Sequence, residues 1–207
     1  MQFRWGAPAD DPEFLPAAGW RPVALPVPAW VHAWVLVPAA SAGVFLAWLT
    51  LANAVLRWIP GGRGLFQAAL PPLPVLTIGL LGLLAAHEAL HALFHPGWGL
   101  SGRTTLGLWP ARGLFYAHYA GGMSRERLLW VAVAPLLLLS AAPLAGWVFL
   151  NGWPPAAGLG RLAFWGLLHS ALCGGDVLSA FFLAVMIPPG AQVQSKGDKA
   201  YWRPADE

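Results

Sequence analysis

Four apolar stretches, at about residues 30–56, 73–94, 128–150 and 162–187, constrain this chain more than any other feature. Each is long enough to cross the roughly 30 Å hydrocarbon layer of a bilayer as one helix. With 57% hydrophobic and only 10% charged residues in 207, the chain carries more apolar surface than a soluble domain of this size can bury. The stretches are bounded by residues with a physical reason to be there. Pro71, Pro72 and Pro74 open the second, Ser124 precedes the third, and Pro188 and Pro189 close the fourth. Trp30, Trp58, Trp98, Trp130 and Trp153 fall near the ends, where amphipathic rings settle at headgroup level. The expected fold is an all-α polytopic membrane protein with about four transmembrane helices. Residues 1–29 form an N-terminal segment, 30–187 the membrane domain and 188–207 a tail.

Outside these stretches two short hairpins are expected. Thr104 to Trp109 and Leu114 to Ala120 flank Pro110, Ala111, Arg112 and Gly113; Val193 to Ser195 and Ala200 to Trp202 bracket Lys196, Gly197, Asp198 and Lys199. With four crossings, the N-terminal segment, the loop from His95 to Arg127 and the tail share one side. That side holds nine basic residues (Arg4, Arg21, Arg103, Arg112, Arg125, Arg127, Lys196, Lys199, Arg203) against three (Arg57, Arg63, Arg161) on the other. The positive-inside rule therefore puts both termini in the cytoplasm; the expected location is a prokaryotic cytoplasmic membrane, as a multi-pass protein. The first 29 residues mix acids, bases and prolines and do not read as a cleavable leader. There is no basic run or face, which excludes nucleic acid as a partner. The one cysteine, Cys173, lies in an apolar stretch and reads as a buried thiol.

The second stretch carries His87, Glu88, Ala89, Leu90 and His91. Positions four apart share one helical face, so the two imidazoles can address one zinc ion, and Glu88 beside them can act as general base in a metal-assisted hydrolysis. Random placement would produce this pattern in roughly 0.3% of chains of this composition. Ionisable groups inside a spanning helix are costly, and three within five residues of an apolar run point to function.

A catalytic zinc takes three protein ligands and keeps one position open. His95 continues the spacing of four, but on an unbroken helix it lies about 12 Å along the axis from His87, too far to join the same ion. It is expected at the interface instead. Gly97 stands where the metzincin pattern needs a third histidine, which excludes that subclass. Asp176 is the one carboxylate in the middle of another stretch, at a depth within about one turn of His87 when both helices run the same way. It reads as the third ligand or as the partner of His169 or a backbone group. Gly174 and Gly175 before it permit close helix approach or local unwinding. His169 shares the helical face of Asp176; it supports the site by hydrogen bonding, stabilises an oxyanion, or simply packs. Pro135 and Pro143 are expected to kink the third helix, with neighbours satisfying the freed carbonyls, and Gly79 and Gly82 to mark tight helix packing.

His87 to Pro96, Ala134 to Ser140 and Cys173 to Pro204 together resemble a membrane family of zincin-type peptidases. That family is itself similar to site-2 intramembrane proteases, which join this motif on one helix to an Asp on a later one. The resemblance runs from about Leu73 to Arg203 and implies zinc held by His87, His91 and Asp176, with Glu88 as base. Site-2 proteases carry Asn and Pro shortly before the Asp and Gly after it; here His169 and Gly174 occupy the approach and Val177 follows. The implied substrate is a membrane or membrane-associated protein or peptide, held as an added strand on the edge of Leu114 to Ala120. Tyr116, His118 and Tyr119 then either contact it or anchor the loop at the interface. The competing reading is a divalent-metal transporter or metal-binding membrane protein without proteolytic activity. A lone motif in four spans lacks the paired repeats that transport pathways use.

Overall fold

The structure, a computed structural model, describes residues 1–8, 11–16, 19–24, 26–57, 71–150, 156–197 and 199–204. Trp58, Arg63, Trp153 and Asp198 lie outside the described residues. The chain is mostly helical with some strands, and four helical stretches are long and apolar enough to cross a membrane: Ala29–Val55, Leu73–Phe94, Arg125–Phe149 and Arg161–Met186. Hydrophobic length set these, so sequence and structure agree to within a few residues.

The elements in order are β1 (Gln2–Trp5), β2 (Arg21–Pro22), α1 (Val37–Leu56), α2 (Leu73–Phe94), β3 (Thr104–Trp109), β4 (Leu114–Tyr119), β5 (Gly122–Ser124), α3 (Arg125–Pro135), α4 (Ala142–Phe149), α5 (Ala156–Ser170), α6 (Gly174–Met186), β6 (Gln192–Lys196) and β7 (Lys199–Arg203). Wide π-helical turns at His32–Leu36 and Leu136–Ala141 lead into α1 and join α3 to α4. A 3₁₀ turn, Ala171–Cys173, interrupts the fourth stretch just before Gly174.

The chain divides into two compact units. One comprises Met1–Ala29, Ala85–Ala134 and Ser179–Glu207, the other Trp30–Leu84 and Pro135–Leu178. In the first, both expected hairpins form, β3 with β4 and β6 with β7. The all-helical expectation falls short here, because each hairpin is extended into a sheet. β1 pairs in parallel with β3, Gln2 opposite Thr105, giving the order β1-β3-β4; β2 and β5 flank the other hairpin in the order β2-β7-β6-β5. These additions are short pairings between segments remote in sequence, which local alternation does not announce. Ile187, Ala191 and Val193 form the core of this unit, with Val23, Leu128, Leu183, Met186 and Trp202 packed around them.

The second unit is helical. Ala52, Leu144, Trp147 and Ala163 make its core, with Trp48 and Val148 packed against them. Two glycines allow close approach: a Cβ on Gly79 would meet the Trp165 ring, and one on Gly166 would sit 2.7 Å from the Leu139 carbonyl oxygen. Among the described residues, nothing lies within 4 Å of where a Cβ on Gly82, expected at a similar contact, would sit.

Candidate metal centre

Glu88 and the two histidines occupy the last third of α2. An otherwise apolar sequence keeps this helix unbroken, so its 3.6-residue period turns a spacing of four into a shared face. His87 and His91 are both buried and Glu88 is half-buried. The Nε2 atoms of the two rings lie 3.0 Å apart. One ligand atom from each of His87, Glu88 and His91 lies within 4.8 Å of the other two. Two imidazole nitrogens on one tetrahedral zinc, each about 2 Å from it, are about 3.3 Å apart, close to the spacing of this pair.

His91 is held from its other side. Its Nδ1 is 2.7 Å from the carbonyl oxygen of Val131 on α3. A carbonyl only accepts, so Nδ1 carries the ring proton and donates it, and Nε2 presents its lone pair. An outer partner that orients a ligand histidine in this way is the usual companion of a metal site.

Beyond Phe94 the chain turns sharply. Gly97, Trp98 and Gly99 all have left-handed φ, and Gly99 packs so closely on the Ala92 carbonyl that a Cβ there would be 2.3 Å from the oxygen. Arg127 closes the helix end: Nε donates to the Phe94 carbonyl at 3.0 Å and an Nη to that of His95 at 3.0 Å. This turn buries His95 just past the end of the apolar helix: it is only 3% exposed and packs beside the Tyr119 ring, 5.5 Å between centroids. Burial, then the neighbouring His91, His118 and Arg127, pushes its pKa down to about 4. His95, His118 and Tyr119 line a cavity of about 110 Å³, with Met123, Leu128 and Val131 in its wall. Tyr116 is committed elsewhere, its hydroxyl donating to the Gly6 carbonyl at 3.1 Å.

His169 and Asp176 belong to the helical unit. His169 is fully buried, with Nδ1 2.8 Å from the Ser140 hydroxyl and 3.6 Å from the Cys173 sulfur. The buried thiol read from the sequence is therefore also a neighbour of the second polar group. Gly174 does permit close approach, since a Cβ there would be 2.2 Å from the backbone nitrogen of Ser41. Asp176 follows the 3₁₀ turn, two residues beyond Gly174 in α6.

Sequence reasoning missed the Val131 carbonyl, the Ser140 hydroxyl and the Arg127 clamp. A signal for the first was present: Pro135 stands four residues after Val131 and has no N–H to give it.

A mostly helical chain with four membrane-length apolar helices, one bearing a His-Glu-x-x-His group shaped for zinc, defines the class. The chain belongs to the family described as "putative zincin peptidase", whose model matches residues 80–191, more than half of its length. Membership supports metallopeptidase activity and zinc as the ion. No curated protein and no solved structure matches the chain.

Proposed function

We propose that this protein is a membrane-embedded zinc endopeptidase of the site-2 type, cleaving membrane or membrane-associated proteins near the cytoplasmic face. The observation that carries the reading is the pair of buried Nε2 atoms 3.0 Å apart, with the Glu88 carboxylate beside them and His91 locked from behind by Val131. His87 and His91 are two ligands, and Asp176 is the third by resemblance. Zinc bound there supplies a Lewis acid that polarises the scissile carbonyl and brings water to ionisation near neutral pH.

The chain's own groups do the rest. Glu88 takes the proton released by the attacking water and returns it to the leaving amine nitrogen. The Ser140 hydroxyl meets His169 Nδ1 at 2.8 Å; when it donates there, the His169 proton sits on Nε2, the form that donates to a developing oxyanion. Among the described residues β4 pairs on one side only, so its other edge has backbone groups free to add a substrate strand. The excess of basic residues on the loop and termini supports cytoplasmic termini.

Glu88→Gln tests the reading. Loss of the base should lower peptide cleavage by at least about a hundredfold while zinc content stays as in the parent, because both imidazoles remain. Undiminished proteolysis by that variant would sink the mechanism. Metal flux across vesicles without any cleavage by the parent protein would favour transport.

A further inference from the structure

In an α-helix each carbonyl accepts from the N–H four residues on. Pro135 has no N–H, so the Val131 carbonyl of α3 is left without its helical donor. The same third stretch contains a second proline, Pro143, just beyond the π-helical turn Leu136–Ala141. The freed Val131 carbonyl receives Nδ1 of His91 at 2.7 Å.

We propose that Pro135 is a positioning residue of the metal centre: it frees the Val131 carbonyl for His91, and that bond holds His91 in the tautomer whose Nε2 is open to the metal. This rests on the reading of His91 as a ligand. A neutral imidazole has one N–H, and the partner of one nitrogen decides the state of the other. With the proton committed to Nδ1, His91 Nε2 carries its lone pair toward His87 Nε2, 3.0 Å away, and the Val131 bond holds the ring in that orientation. The position is also one where proline is otherwise costly, inside a helix and fully buried. Restoring an N–H at residue 135 would draw the Val131 oxygen back toward the helix axis and into competition between two donors.

The experiment uses the full chain in lipid nanodiscs and reads zinc affinity by competition with a chelator. Pro135→Ala should weaken zinc binding about tenfold to a hundredfold, as loss of an outer partner does. Pro143→Ala, which removes the other proline kink of the same stretch, should leave zinc affinity unchanged. Nitrogen-15 NMR of the metal-free parent should show His91 protonated on Nδ1, and Pro135→Ala should shift it toward a tautomer mixture. A metal-free parent with its His91 proton on Nε2 overturns the proposal even if the variant does not fold. So does unchanged affinity in Pro135→Ala. His91→Ala separates the two levels. If it still binds zinc like the parent, the ligand reading itself is wrong; if it loses zinc while Pro135→Ala keeps it, only the positioning role falls.

Discussion

The second and fourth apolar stretches handle polar groups in opposite ways. α2 stays regular for all of Leu73–Phe94, and its period alone brings His87 and His91 together. The fourth stretch gives up regularity. A 3₁₀ turn at Ala171–Cys173 and close packing at Gly174 surround the segment holding His169, Cys173 and Asp176. One helix gathers two imidazoles by periodicity; the other departs from it around a histidine and a carboxylate within an apolar run. A 3₁₀ stretch inside a longer helix often marks a functional hinge or local strain.

Asp176→Ala attacks the comparison most strongly. An outer partner is worth up to about a hundredfold in metal affinity, so removing a direct ligand should weaken zinc binding by more than about that factor and abolish cleavage. Unchanged zinc occupancy and activity would reduce the fourth stretch to packing. Gly174→Val should come next, destabilising the helical unit by about 1–3 kcal/mol or more, because the added carbon meets the Ser41 backbone and not a flexible side chain. Thermal unfolding in detergent reads this; an unaltered transition would show that α6 stands farther from Ser41. Ser140→Ala removes the hydroxyl on His169 Nδ1 and should cost about 1 kcal/mol. Its sharper readout is a drop in kcat at unchanged KM, the pattern expected when a group acting in the transition state loses its orientation.

The smallest effect belongs to the end of the second stretch. His95, ordinarily near 6.5, is held down to about 4 by burial and by the neighbouring His91, His118 and Arg127, so the folded state takes up a proton less readily than the unfolded chain. Its contribution is fully present above about pH 6.5 and is lost as pH falls from there toward 4. His95→Gln should flatten part of the acid-side loss of stability between pH 6.5 and 5. A zinc ion held by His91 pushes in the same direction, so the effect should persist in loaded protein. An identical pH profile in the variant would place His95 in water.

Much of this was legible in the sequence because it depends on local period and length. Apolar length set the four helices, and turn residues between β-rich runs marked both hairpins. The pairing of His87 with His91 follows from their spacing alone. What escaped depends on tertiary pairing: β1 joining β3 across a hundred residues, β5 joining β6, and His95 pulled inward by Arg127. The His91 bond to Val131 lies between these cases. Its acceptor was announced by Pro135, but its donor sits 40 residues away.

Zinc per chain in the purified protein, compared with His91→Ala prepared in parallel, tests the account most directly. About one zinc in the parent and essentially none in the variant is the predicted result, since a catalytic site needs three protein ligands and the variant has lost one. A parent purified without metal that takes up none when zinc is supplied, or a variant as metal-rich as the parent, would contradict it.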